Sequence, residues 1–181
     1  MGCLFLFKHS AEKECLFIKK TMTFKEHSGI CTLECKQYLN WPIEKAWDFF
    51  SSPLNLSKIT PPKMGFVVTS SNLNKIYPGQ IISYQVGVLP FVRTNWITEI
   101  THVRAPYYFV DEQRSGPYSM WHHEHIFEET SHGLLMTDRI SYQIPFGFAG
   151  KLLTGKFIKG EIEKIFVYRT QALKAMNIEA K

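Results

Sequence analysis

The feature that most constrains this chain is a block of two-residue alternation over residues 66–144, followed by a proline-free helical stretch over 150–176. In the first block apolar side chains recur at every second position, the period that places one set of side chains on one face of a β-strand. The runs are Phe66-Val67-Val68, Ile81 to Val88, Thr94 to Val103, Tyr107 to Gln113, Met120 to Glu129 and Leu134 to Ile144. Tyr77-Pro78-Gly79-Gln80, Arg114-Ser115-Gly116-Pro117 and Gly133 are turn signals between them. Strands joined this closely pair with their chain neighbours in opposite directions, so an antiparallel meander is expected. In the second block Leu152, Phe157, Ile158, Ile162, Ile165, Phe166, Leu173 and Met176 recur at spacings of three and four. That is an amphipathic helix about 40 Å long, expected to bury Leu152, Ile158, Ile162, Ile165 and Phe166.

Upstream, Cys31, Leu33, Cys35 and Leu39 share one face of a further strand over 30–39, with Gln37 a polar intruder among them. Pro42 opens a short helix through Ile43, Ala46, Trp47 and Phe50, and Ser51-Ser52-Pro53 starts a second one that Pro61-Pro62 ends. The expected architecture is therefore α+β. A strongly bent, seven-stranded antiparallel sheet wraps the long C-terminal helix, and two short helices follow the first strand. Between sheet and helix such an arrangement leaves an apolar cavity, the usual place for a small ligand.

The 181 residues fit one domain, with 45% hydrophobic and 20% charged residues, so the chain can bury a core without staples. The aromatic share of 14% suits a large core or an aromatic-lined cavity. The net charge is 21 − 16 = +5, and no dense Lys/Arg run with interleaved aromatics occurs, which argues against a nucleic-acid partner. No run of 18 apolar residues exists, so stable membrane insertion by a helix is not expected. Cysteines stand only at 3, 15, 31 and 35, without a Cys-x-x-Cys pair, which reads as a reducing, cytoplasmic setting. Residues 1–28 read as a tail outside the domain, with Met22 a second candidate start, and residues 29–181 read as the domain.

Chemistry concentrates in Asp111 to Phe127 and in Asp138. Trp121, His123, His125 and Phe127 share one strand face, while His122, Glu124 and Glu128 share the other. The aromatic ends of the first set place it inward. Leu134, Met136, Asp138, Ile140, Tyr142 and Ile144 form the inward face of the next strand. A carboxylate on an apolar face needs a partner, and His123 or His125 is the natural one. Asp111 and Gln113 stand across the turn and can join them. Three readings stay open: an inert, fully hydrogen-bonded network, a site that orients a mostly apolar ligand, and a His–Asp acid/base pair. The His-x-His spacing also permits a metal with Asp138 as third ligand, a weak signal, and no metal is expected. Arg93, before Asn95-Trp96, reads as a strand-end surface residue, with a cavity-mouth cation as the alternative. No phosphate loop, dinucleotide fingerprint or nucleophile elbow is present, and no cofactor is expected.

Four stretches carry a resemblance: residues 52–62 (Ser52 to Pro62), 111–118 (Asp111 to Tyr118), 121–127 (Trp121 to Phe127) and 138–142 (Asp138 to Tyr142). Together with the element order, over about residues 30–176, they resemble the START-like, helix-grip (SRPBCC) superfamily, which includes pollen-allergen-like lipid binders and polyketide cyclases. The stretches are similar to a bacterial subgroup labelled cyclase/dehydrase-like or cell-division inhibitor, some of whose members are fused to nucleotide-sugar-epimerase-like domains. The resemblance implies the fold and a hydrophobic cavity, and by position it points to Asp111, Gln113, Trp121, His123, His125, Asp138 and Tyr142 as candidate ligand-binding residues. It does not imply one reaction, because one fold hosts unrelated functions. The expected function is binding of an apolar small molecule or lipid. A cofactor-independent cyclase or dehydratase is the alternative, and a regulatory interaction module is the second alternative.

Overall fold

The computed structural model of the chain describes residues 21–71, 73, 75–89 and 92–179. Residues 1–20 of the expected tail, with Cys3 and Cys15, lie outside the described residues. The elements run in the order β1 (Met22–His27), β2 (Ile30–Leu39), α1 (Ile43–Phe50), a 3-10 helix (Pro53–Ile59), a 3-10 turn (Pro62–Met64), β3 (Val67–Val68), β4 (Gln80–Leu89), β5 (Val92–Arg104), β6 (Tyr108–Ser115), β7 (Met120–Thr130), β8 (Gly133–Gln143) and α2 (Gly147–Glu179).

All the strands lie in one eight-stranded sheet in the order β1-β2-β8-β7-β6-β5-β4-β3. Every neighbouring pair is antiparallel. The meander from β3 to β8 follows from the short turns, and β2 closes it by pairing Leu33 with Ile140 and Cys35 with Asp138. Two expectations need correction. The sheet has eight strands rather than seven, because residues 22–27, placed in the tail by sequence, form the edge strand β1 through a hairpin at Ser28 and Gly29. The domain therefore takes in part of the segment 1–28. Both turn residues have positive φ, 49° and 79°, the conformation a tight hairpin demands.

Register shifts interrupt the ladder between Gly87 and Leu89, between Ile97 and Thr98, and between Ile100 and His102. Such irregularities bend and twist the strands that carry them. The core falls into two clusters. One gathers Leu39, Trp41, Trp47, Phe109, Phe127, Met136 and Leu173 beneath α1. The other gathers Leu33, Cys35, Ile140, Tyr142, Ile144, Ile162 and Phe166 beneath the middle of α2.

Helix α2 buries Ile162, Phe166 and Leu173 on one stripe, spaced four and seven residues apart, as its periodicity requires. Ile158 and Ile165 pack at the border of the second cluster. Leu152 departs from expectation: it is 74% exposed, and Leu153 beside it 83%. The stripe meets the sheet only from about Ile158 onward, so the first turns of the helix carry apolar side chains into solvent. Gln37 is explained by the helix too. Its Nε2 donates to the Thr170 carbonyl at 3.1 Å, tying β2 to α2.

Candidate functional site

Strands β6, β7 and β8 are adjacent, and their register sets the site. Asp111 stands opposite His123, and His125 stands opposite Asp138. All four side chains point to the inner face, because period two selects alternate residues on each strand. Directly opposed and diagonal pairs are both within reach at this spacing. The result is a square of contacts: His123 Nε2 to Asp138 Oδ1 at 3.0 Å, His123 Nδ1 to Asp111 Oδ2 at 3.3 Å, His125 Nε2 to Asp111 Oδ2 at 3.0 Å, and His125 Nδ1 to Asp138 Oδ1 at 3.0 Å. Each imidazole thus bridges the two carboxylates.

Helix α2 adds a fifth member. Arg169 Nη2 lies 3.1 Å from Asp138 Oδ1 and 3.5 Å from His125 Nδ1. Its Nε is buried without a hydrogen-bond partner among the described residues. Sequence reading missed Arg169. The available signal was a lone arginine three residues after Phe166 and four before Leu173, on the apolar stripe of an amphipathic helix.

Aromatic walls hold the imidazoles in place. His125 stacks on Phe109 with centroids 4.0 Å apart, and the two imidazole centroids are 3.8 Å apart. Trp121 and Phe166 meet His123 edge-on.

Electrostatics follow from these contacts. Burial pushes the Asp111 carboxyl up, but the charge and hydrogen bonds of His123 and His125 prevail and hold it well below the usual carboxylate range. Asp138 is treated the same way: burial raises it, and Arg169 with both histidines holds it far lower. Burial lowers the His123 imidazole, while Asp111 and Asp138 outweigh that and raise it above its ordinary value. Two carboxylates held ionised are opposed by the Arg169 guanidinium and by a His123 whose charged form is favoured. That balance is what permits so many ionisable groups to share a buried place.

Above this set opens a cavity of about 790 Å³. Its wall is mostly aliphatic and aromatic, including Phe50, Ile82, Tyr84, Val86, Ile100 and Ile162; Asp111, Trp121, His123, His125 and Arg169 line it too, as do Lys63, Arg93 and Glu161. Asp138 is not part of the lining. It lies on the helix side, covered by α2, so the histidines stand between the cavity-side Asp111 and the helix-side Asp138.

The other sequence candidates have separate places. Trp121 lines the cavity and meets Trp96 edge-on at 5.1 Å. Gln113 clamps the β6–β7 turn instead of joining the cluster. Its Nε2 donates to the Tyr118 carbonyl at 2.6 Å, and its Oε1 accepts from the Tyr118 amide at 3.2 Å. A Cβ at Gly116 would stand 2.5 Å from that Oε1, which explains the glycine. Tyr142 is fully buried in the second core cluster against Tyr118 and Trp121, away from the cavity lining. Arg93 is among the cavity-lining residues, and its Nη2 donates to the Gly65 carbonyl at 2.6 Å. One donor atom from each of Asp111, His123 and His125 lies within 4.8 Å of the others, a grouping that excludes Asp138. Among the described residues no helix is long and apolar enough to cross a membrane.

No family model matches the chain, and no curated protein matches it either. Solved structures do. An NMR structure of a protein from Arthrobacter aurescens aligns with a TM-score of 0.62 at 11% identity, covering 86% of this chain and 92% of that one. Protein Ms6760 from Mycobacterium smegmatis aligns at 0.60 and 17% identity, covering 88% and 99%. Protein EF2215 from Enterococcus faecalis, described as a conserved protein of unknown function, aligns at 0.55 and 11%, covering 91% and 83%. At these identities the likeness establishes the fold alone.

Proposed function

We propose that the chain is a START-like, helix-grip protein that holds an apolar small molecule or lipid in the cavity between its sheet and α2. The observation that carries this reading is the cavity itself. Its volume of about 790 Å³ is in the range of small-molecule sites, roughly 300–1,000 Å³, and its wall is mostly apolar, with one convergent buried polar group and further polar side chains at Lys63, Arg93 and Glu161. An apolar body fits the aliphatic and aromatic wall, and Asp111, His123 and His125 orient whatever polar end the molecule has. The cysteine spacing suits a reducing, cytoplasmic setting.

The test is saturable binding of a neutral apolar fluorophore, N-phenyl-1-naphthylamine, to the full chain. Wild type is expected to bind one equivalent. Val86→Trp, which places an indole where a buried cavity-lining side chain now stands, is expected to abolish binding while circular dichroism stays native. Equal binding by the two would overturn the reading.

One observation favours a second reading, a cofactor-independent cyclase or dehydratase. His123 lies 3.0 Å from Asp138 and faces the cavity, the arrangement a general acid/base pair needs. Recovery of the bound molecule after incubation with the mass of one water lost, or with unchanged mass and altered chromatographic retention as a ring closure requires, and loss of that change in His123→Gln, would select this alternative over simple binding.

A further inference from the structure

We infer that the cavity edge of the cluster is a metal site, in which Asp111, His123 and His125 bind one divalent first-row transition ion. The inference does not depend on the cavity's organic ligand.

The donor spacing carries it first. Asp111 Oδ2 stands 3.0 Å from His125 Nε2 and 3.3 Å from His123 Nδ1. Ligand atoms bonded to one such ion at about 2.0–2.2 Å, with bond angles between octahedral and tetrahedral, stand about 3 Å apart. The oxygen is therefore already near ligand-to-ligand spacing from both nitrogens, and all three atoms lie within 4.8 Å of one another; an ion takes the place of the hydrogen bonds that now link them.

The far side of each imidazole supplies the second part. His123 Nε2 and His125 Nδ1 both lie 3.0 Å from Asp138 Oδ1. Histidines that bind a metal through one nitrogen characteristically donate the other N–H to a carboxylate, which fixes ring orientation. Arg169 at 3.1 Å holds Asp138 in that supporting place. Asp138, the third ligand that spacing alone allows, is thus the positioning residue, and Asp111 takes the ligand role. The donors sit on paired strands β6 and β7 rather than on loops, so the set is rigid.

Chemistry narrows the ion. Two imidazoles and one carboxylate suit zinc, iron(II) or cobalt(II), whereas calcium and magnesium favour all-oxygen sets. Three protein ligands leave coordination positions open, and Asp111, His123 and His125 all line the cavity, where a water or a ligand oxygen can fill them.

The experiment is calorimetric titration of zinc chloride into the chelator-treated full chain, paralleled by the visible spectrum of the cobalt(II) form. One saturable ion per chain is expected, without the intense thiolate bands that cysteine ligation produces. Asp111→Asn and His125→Gln should each weaken binding at least about 100-fold, and Asp138→Asn about 10–100-fold as a positioning change. His122→Ala, on the other face of β7, should leave affinity unchanged. Asp111→Asn keeps the size of the side chain at the least buried corner of the cluster, so it remains informative where a histidine variant fails to fold. Absence of a saturable site, wild-type affinity in Asp111→Asn, or thiolate bands in the cobalt spectrum would overturn the inference. N-phenyl-1-naphthylamine binding to the metal-free protein is read in parallel. Its loss would strike the cavity reading alone, and its persistence without zinc binding would strike the metal site alone.

Discussion

The two faces of β6–β8 carry the same residue types one position apart in sequence. Outside, His122 Nδ1 lies 2.7 Å from Glu112, and Arg139 reaches Glu34 at 3.0 Å and Glu124 at 3.3 Å. Inside, His123 and His125 bridge Asp111 and Asp138, and Arg169 closes the set. The difference is water. The Arg139 side chain is 40% exposed, whereas those of Asp138 and Arg169 are 6% and 7% exposed. Screened surface pairs contribute little to stability, while a buried ion that loses its partner cannot be rescued by solvent. The same chemistry is therefore a solvated ladder on one face and a cooperative network on the other.

The largest expected effect comes from breaking the inner set. Asp138→Ala leaves Arg169 buried beside two imidazoles, and urea unfolding should show a loss of about 3–5 kcal/mol. A loss below about 1 kcal/mol would mean that the inner face is as well solvated as the outer one.

Coupling comes next. In a double-mutant cycle, Asp138→Asn and His123→Gln should interact by about 0.5–3 kcal/mol, as groups in one network do. Additivity within about 0.3 kcal/mol would separate the two residues energetically.

The pH response of the chelator-treated protein sharpens the contrast further. The Asp111 and Asp138 carboxyls are lowered on folding, so their stabilisation is present above about pH 4 and is lost as pH falls toward their folded values. His123 is raised, so its contribution is full below about pH 6.5 and is lost as pH rises through its folded value. Thermal unfolding should show the cluster's greatest contribution between about pH 4 and 6.5. His123→Gln should remove the fall on the alkaline side.

The smallest effect belongs outside. Arg139→Ala should cost no more than about 1 kcal/mol, discounted for exposure, and the cost should shrink in 1 M salt. A larger, salt-insensitive loss would show that the outer ladder is structural.

How much of this was legible depended on period. Alternation alone placed Trp121, His123, His125 and Phe127 on one face and Asp138 among apolar neighbours, so the inner histidines and their carboxylate partner followed from the strands. Residues 22–27 were hidden because that edge strand is short and offers only Met22 and Phe24 as apolar inward positions, too few to define a period. Arg169 was hidden because helical periodicity marks a stripe, and one arginine on it reads as a flank until the carboxylate beneath is seen. Gln113 and Tyr142 share the inner face with the cluster, but strand parity does not say how far along the sheet the cavity extends. Leu152 fits the helical stripe, yet parity cannot reveal where the sheet under the helix ends.

On the proposed function, the inner face is the floor of a binding cavity and not merely a buried network. Native mass spectrometry of the purified full chain tests it most directly. Wild type should retain one apolar small molecule or lipid per chain, released on denaturation, and folded Val86→Trp should retain none. The same adduct on both proteins, or none on wild type even after incubation with extracted lipids, would contradict it.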